Sequence, residues 1–219
     1  MKNLILDAIL FVLFVAELAF HYLPRDIHEI LGVAMIILVI VHVAINFRRF
    51  IGSFKKISTR KLLSIEVNVA LILATLIILF SGLCMSNFIF PDLMSSALRR
   101  NMTIHNLHTS APYIMTILIG MHIALHCHEI KQRLLNYFEA EFSARLKLFS
   151  YALIFMLSLF GIVGLFLNRF LDRILMKHIF ATPATDLPAW IFILLIVGSV
   201  VFFALVTYIL VEKIFKRQP

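Results

Sequence analysis

Charged residues are scarce in this chain. Asp, Glu, Lys and Arg make up 15% of its 219 residues, whereas 62% of the residues are hydrophobic and the mean hydropathy is +0.99. A soluble chain of this length needs more polar surface than these residues can supply. The apolar residues fall in long uncharged runs, each near the ~20 residues that a helix needs to cross hydrocarbon. The composition therefore excludes an ordinary soluble domain and indicates an integral membrane protein.

Cysteine and glycine are also scarce, with two and seven copies. Cys84 and Cys127 lie far apart in the sequence, so we expect neither a disulfide framework nor a cysteine zinc site. No C-x-x-C-H motif occurs, which argues against covalently attached c-type haem. The sequence also lacks a glycine-rich nucleotide-binding motif, and direct NADH or ATP chemistry is therefore not expected.

Six apolar runs predict an all-α fold, a polytopic membrane bundle of six transmembrane helices. Ten-residue strands of alternating hydrophobicity, the pattern of a membrane barrel, are absent. The first run carries Asp7 and Glu17 and ends without a small-residue cleavage site, so we interpret it as a retained span rather than a signal peptide. The predicted spans cover residues 4–23, 27–47, 63–85, 105–128, 148–170 and 188–211.

The net charge of +8 comes from basic residues between the apolar runs. With six spans, fourteen Lys and Arg residues fall on the side of the chain termini and six on the other side. Cytoplasmic connections carry the excess of Lys and Arg, so both termini are predicted to be cytoplasmic. No basic stripe is interleaved with exposed aromatics, and no nucleic-acid partner is expected.

Histidines within the predicted spans carry the main functional signal, because ionisable groups inside a membrane are costly and usually functional. The step from His28 to His42 in span two equals the step from His108 to His122 in span four, fourteen positions in each case. A step of this length turns an α-helix by about 1,400° and rises about 21 Å, which places both histidines of a span near one face. Spans two and four run parallel, so the four imidazoles are predicted to oppose each other at two depths. Two opposed imidazoles are what a six-coordinate haem iron requires, and this pattern suits haem b, o or a alike.

An internal repeat supports this pairing. When the sequence is aligned with itself so that His28 falls on His108, Met35 falls on Met115 and His42 falls on His122. The seven-residue steps place Met35 and Met115 between the two levels, where they either contact a cofactor or simply fill the core. Gly32 and Gly120 lie close to these histidines and are compatible with close approach of a porphyrin or with ordinary helix packing.

Other polar residues are weaker candidates. His126 lies five helical turns after His108 and returns to the same face, so it is kept as a substitute for His122. Glu17 is compatible with a proton relay near an outer quinol site or with a hydrated position in the bundle. Five arginines near the two levels are candidate partners of haem propionates or simple determinants of topology: Arg25, Arg99 and Arg100 on the outer side, and Arg48 and Arg49 on the inner side.

Several of these positions resemble the flavinylation-associated cytochrome family of the two-haem cytochrome b superfamily. The resemblance lies at His28-Glu29-Ile30-Leu31-Gly32, followed by His42 and Asn46, at Ser81-Gly82, and at His108, His122 and His126. It covers spans one to four, about residues 1–135, and the family typically has four spans. Residues 136–219 would then form a second part with two additional helices, in an interaction or quinone-site role.

The resemblance implies two b haems ligated by His28, His42, His108 and His122. It also implies electron transfer between the quinone pool, menaquinone or ubiquinone, and an extracytoplasmic redox partner, often a flavoprotein with covalent FMN. The expected location is the bacterial cytoplasmic membrane. Two other classes remain open: a transporter whose histidines bind a metal or relay protons, and a haem-free scaffold subunit that anchors a partner.

Overall fold

The computed structural model describes residues 2–55, 58–138, 144–177 and 185–215 of the chain. Within these ranges the fold is all helical and contains no strand, which confirms the predicted all-α class. A 3-10 turn at Phe20–Tyr22 follows the first helix. The α-helices are α1 (Lys2–Leu18), α2 (Arg25–Ser53), α3 (Thr59–Met85), α4 (Ser96–Arg99), α5 (Met102–Leu125), α6 (Cys127–Phe138), α7 (Ala144–Leu167), α8 (Phe170–Ile174) and α9 (Ala189–Phe215).

Helices α2, α3, α7 and α9 are each long and apolar enough to cross a membrane. Helices α5 and α6 provide a fifth span if the two, bent by 60° at their junction, are taken together. The first predicted span is interrupted, because α1 ends at Leu18 after 17 residues and a separate turn follows. Four to five spans are therefore evident in the described residues, where the sequence predicts six.

Local sequence explains where the long helices begin. Pro24 precedes α2, and proline is favourable just before or within the first turn because it has no N–H to leave unpaired. The Ser58 hydroxyl accepts a hydrogen bond from the Lys61 N–H at the start of α3. The Asn101 side chain accepts from the N–H groups of Thr103 and Ile104 at the start of α5. Each polar cap satisfies backbone donors that have no partner within the helix.

The bend between α5 and α6 lies at His126 and divides the fourth predicted span. The Arg60 guanidinium donates to the Leu125 carbonyl at 3.5 Å, and His126 Nε2 lies 3.4 Å from Ser64 Oγ. Both contacts come from α3, so polar groups of a neighbouring helix hold the chain at the position where it changes direction.

Glycines allow α9 to approach α5 and α7 closely. A Cβ atom at Gly161 of α7 would overlap the carbonyl of Gly198, and one at Gly164 would lie 2.9 Å from the Leu195 carbonyl oxygen. A Cβ atom at Gly120 of α5 would lie 2.8 Å from the Val200 carbonyl oxygen. Small residues bring membrane helices into such contact. Gly120 thus faces α9, which favours its interpretation as a helix-packing residue.

A carboxylate fixes the connection after α3. Glu29 of α2 accepts hydrogen bonds from the Asn87 N–H at 2.8 Å, the Ile89 N–H at 3.0 Å and the Ser86 hydroxyl at 2.7 Å. The start of this connection is therefore tied to the helical turn that carries His28.

Candidate functional site

His28 of α2 and His108 of α5 face each other. Their ring centroids are 6.1 Å apart and their planes are inclined by 79°. The sequence predicts that these two side chains oppose each other, and the structure brings them together. Both are held by long helices rather than loops, so their positions follow from helix packing.

His42 and His122 form a second pair, with ring centroids 6.5 Å apart and planes inclined by 64°. The two members again come from α2 and α5. An imidazole nitrogen that binds a transition metal lies about 2 Å from it, so two rings that share one metal have centres about 6 Å apart. Both pairs have this separation.

The Nδ1 atom of each histidine in the first pair has a polar partner on another helix. His28 Nδ1 lies 2.7 Å from Glu17 Oε2 of α1. His108 Nδ1 lies 3.0 Å from Ser81 Oγ of α3. The Ser81 hydroxyl is directed at the Ile77 carbonyl, 2.7 Å away. Its proton is therefore in use, and its oxygen accepts from the Nδ1–H of His108.

The second pair repeats this arrangement. His42 Nδ1 lies 2.8 Å from Asp7 Oδ1 of α1, and His122 Nδ1 lies 2.8 Å from Asn68 Oδ1 of α3. The Asn68 amide oxygen can only accept, so His122 Nδ1 carries the proton. The contacts of His42 with Asp7 and of His28 with Glu17 are within ion-pair distance but lack hydrogen-bond angles, and the nearby carboxylates favour a proton on Nδ1 through their charge. The four partners share one chemical effect: each favours the tautomer in which the ring proton is on Nδ1, Ser81 and Asn68 through hydrogen bonds and Glu17 and Asp7 through charge.

This tautomer leaves the lone pair of each ring on Nε2. In the described part of the chain, none of the hydrogen bonds or ion pairs involves Nε2 of His28, His42, His108 or His122. Metal-binding histidines have this form, with one nitrogen ligating and the other N–H held by a carboxylate, carbonyl or similar acceptor. The described residues contain no group of three or more His, Cys, Asp or Glu side chains arranged to hold a metal ion by themselves.

A small pocket of about 40 Å³ adjoins the first pair. Apart from Glu17 and the two histidines, its lining is apolar: Phe14, Leu18, Met35, Ile78 and Pro112. Met35 and Met115 are both buried in the same hydrophobic cluster. The structure thus places Met35 beside the histidines and Met115 in the core. These positions are compatible with contact to a cofactor and with simple core packing.

Two glycines shape the surroundings of the first pair. A Cβ atom at Gly82 of α3 would lie 3.3 Å from Cε1 of His108, so the absence of a side chain there makes room for the imidazole. A Cβ atom at Gly32 would lie 3.7 Å from Glu17 Oε2. Gly32 therefore lies against the carboxylate that holds His28.

The arginines named from the sequence lie in different surroundings. Arg25, Arg48 and Arg100 are exposed. Arg99 donates to the carbonyl oxygens of Pro91 and Met94 and so stabilises the connection between α3 and α5. Arg49 lines an open pocket that it shares with Arg133, and Arg133 Nη1 lies 3.9 Å from Asp7 Oδ2.

His126, the substitute for His122, has a different orientation. Its Nε2 lies 3.4 Å from Ser64 Oγ, and its Nδ1 lies 3.7 Å from Glu129 Oε1. Both ring nitrogens thus face polar groups of α3 and α6. The His126 ring lies 4.7 Å from the ring of His122, and it is His122 that makes the ring contact with His42. The geometry favours His122 as the member of the pair.

Sequence reasoning missed Asp7 and Asn68 as histidine partners, and it identified Ser81 only through the family resemblance. It left Glu17 as either a proton relay or a hydrated position in the bundle and did not identify it as the partner of His28. One signal was available: Asp7 and Glu17 are the two acidic residues of an otherwise apolar run. Buried carboxylates need a cation or a hydrogen-bond donor, and the candidates nearby in sequence were His21 in the same run and the histidines of the next span.

No family model, curated protein or solved structure matches this chain. Membership in the cytochrome family stays a prediction from the residues quoted above. Support for a function comes instead from the two histidine pairs, their four partners and the apolar helices that carry them.

Proposed function

We propose that this protein is a membrane electron-transfer subunit that carries two b haems, one bound by His28 and His108 and one by His42 and His122. The observation that carries the proposal is the pairing of four imidazoles at separations of 6.1 and 6.5 Å, each with Nδ1 beside a polar partner and with Nε2 outside the hydrogen bonds and ion pairs of the described residues. This donor set fits six-coordinate haem iron. When bound, haem supplies a one-electron carrier.

Haem suits these pairs better than a bare metal ion. A zinc or copper site needs three or four protein ligands at one position, whereas each level here provides two opposed imidazoles. Haem iron already has four porphyrin nitrogens and needs only two further ligands. The apolar residues beside His28 and His108, such as Phe14 and Ile78, provide the kind of surface that a macrocycle contacts.

The two levels define a path across the bilayer. The equal steps between histidines along α2 and α5 correspond to about 21 Å of rise, most of a ~30 Å hydrocarbon core. With six spans and both termini cytoplasmic, His28 and His108 form the outer pair and His42 and His122 form the inner pair. We propose that electrons pass between the quinone pool and an extracytoplasmic redox partner, a flavoprotein among them, at the bacterial cytoplasmic membrane.

Helix α9 packs against the part of the fold that carries the histidines, and α7 packs against α9. Helix α9 packs on α5 through Gly120 and on α7 through Gly161 and Gly198. Helix α5 carries one histidine of each pair, so α9 restrains both pairs through the same helix. We propose that residues 136–219 serve as a support and interaction element rather than as a second cofactor site.

A proton or metal transporter is the second candidate, and one observation favours it. Such a protein needs acidic groups beside its membrane histidines, and α1 supplies them as Glu17 beside His28 and Asp7 beside His42. A spectrum separates the two functions, because only the electron carrier contains a chromophore with a visible α band.

The test is the dithionite-reduced minus oxidised visible spectrum of the purified full chain, with haem quantified per polypeptide as the pyridine haemochrome. We expect a low-spin b-type α band and about two haems per chain. His122→Ala should remove one haem, whereas His126→Ala, a neighbouring histidine on the same segment, should retain both. A folded, haem-free wild-type protein, expressed with haem supplied, would contradict the proposal.

A further inference from the structure

The two pairs share an asymmetry. In each pair the histidine of α2 has a carboxylate partner, Glu17 or Asp7, and the histidine of α5 has a neutral one, Ser81 or Asn68. All four partners favour the same ring tautomer, Ser81 and Asn68 through hydrogen bonds and Glu17 and Asp7 through close ion-pair contacts. Only the carboxylates bring a negative charge to the ring. The asymmetry occurs at both levels, and both carboxylates come from α1.

Glu17 has little else to compensate its charge. Its side chain is 12% exposed and lies 2.7 Å from His28 Nδ1. Its other oxygen, Oε1, is buried without a hydrogen-bond partner among the described residues. A buried carboxylate is costly unless it is paired, so the His28 ring and whatever positive charge that ring binds are its compensation.

Asp7 is placed differently. It lies 2.8 Å from His42 Nδ1, and its second oxygen lies 3.9 Å from Arg133 Nη1. Arg133 in turn lies 3.8 Å from Glu129. The charge of Asp7 is therefore shared between His42 and a cation, whereas the charge of Glu17 acts on His28 alone.

A carboxylate that accepts the Nδ1–H of a metal-bound histidine makes the imidazole a stronger electron donor. A stronger donor stabilises ferric over ferrous iron and lowers the midpoint potential, because hydrogen bonding to the axial ligand is one of the ways a protein tunes haem. A hydroxyl or amide partner orients the ring without adding this charge.

We infer that Glu17 and Asp7 are positioning residues, each acting through one axial histidine to keep the potential of one haem low. The inference rests on the proposed function. Glu17 should have the larger effect, because no cation shares its charge in the described part of the chain, whereas Arg133 lies beside Asp7.

The test is a redox titration of purified full-length protein, followed at the α band. Glu17→Gln should raise the one-electron reduction constant of one component at least tenfold, which corresponds to a rise of about 59 mV in its midpoint potential. Asp7→Asn should raise the other component by less, and the double variant should raise both. Glu66→Gln is the matched control, because Glu66 is an exposed carboxylate on α3 and its loss removes the same charge.

Haem content separates the possible failures. A wild-type protein without haem would refute the proposed function. If wild type and variants keep two haems and both potentials stay at their wild-type values, the inference alone is refuted. Where Glu17→Gln fails to hold haem, Glu17→Asp and Asp7→Asn carry the test. If both neutral variants lose haem, the carboxylates hold the ligand rather than tune it, and the inference is likewise overturned.

Discussion

Gly82 of α3 lies directly against the imidazole of His108, because a Cβ atom at residue 82 would be 3.3 Å from His108 Cε1. The neighbouring Ser81 holds Nδ1 of the same ring at 3.0 Å. Ser81 thus fixes the orientation of the His108 ring, and Gly82 leaves the space that the ring occupies.

Gly82→Val should cost the protein its outer haem. Branched methyl groups at residue 82 would displace the His108 ring from His28, so we expect about one haem per chain instead of two in the haemochrome assay. Gly52→Val is the control, because nothing lies within 4 Å of a Cβ atom at Gly52. Two haems in the Gly82 variant would show that His108 does not need its present position.

Asn68→Leu should weaken the inner site. The substitution leaves the Nδ1–H of His122 without its acceptor, and an unsatisfied buried donor costs about 1–3 kcal/mol. Loss of such a partner typically lowers metal affinity 10–100-fold, so we expect partial occupancy of one haem that recovers when haem is in excess. Occupancy equal to wild type at limiting haem would contradict this role for Asn68.

Asn68→Asp should act in the opposite sense to Asp7→Asn. It places a second carboxylate on the inner pair, on the histidine that has a neutral partner. We expect the potential of one component to fall while haem content stays at two. A rise would contradict the prediction, and an equal fall of both components would mean that the charge acts over long range rather than through His122.

Gly161→Leu should destabilise the protein without changing its spectrum. A side chain at residue 161 would collide with the backbone of Gly198, and overpacking of this kind costs about 1–3 kcal/mol. We expect a lower Tm in detergent and unchanged haem content in the surviving folded fraction, because neither α7 nor α9 carries a ligand. An unchanged Tm would mean that the two helices do not cross at this contact.

Glu29→Ala should release the connection after α3. The Glu29 carboxylate accepts from the N–H groups of Asn87, Phe88 and Ile89 and from the Ser86 hydroxyl, and alanine leaves all four donors without this acceptor. We expect faster hydrogen exchange in residues 86–89 with both haems retained. Unchanged exchange would show that other contacts hold this connection, and loss of haem would show that Glu29 supports His28.

Spacing within a helix could be predicted from the sequence, and spacing between helices could not. The equal steps from His28 to His42 and from His108 to His122 place each pair on one helix face by periodicity alone, and the structure brings these residues together. The partners Asp7 and Asn68 depend on the rotation and vertical offset of α1 and α3 against α2 and α5. Side-chain packing over many residues sets those offsets, and no local pattern in the sequence records them.

The helix boundaries show the same division. Hydropathy is continuous across residues 105–128, so the sequence predicted one span where α5 ends at Leu125 and α6 begins at Cys127. The contacts of Arg60 and Ser64 at this bend come from α3, which is distant in sequence. Because contacts from another helix stabilise this bend, the sequence at the bend contains no proline or glycine that would mark it.

Helix α1 supplies a carboxylate to each histidine pair yet contains no histidine of its own. A shift of α1 along its axis by one helical turn, about 5.4 Å, would detach Asp7 and Glu17 from their imidazoles in the same movement. Both proposed haem sites would then respond to the movement of this one helix. Any partner or lipid change that moves α1 would shift both sites together, and the His28 site more than the His42 site, because Arg133 shares the charge of Asp7.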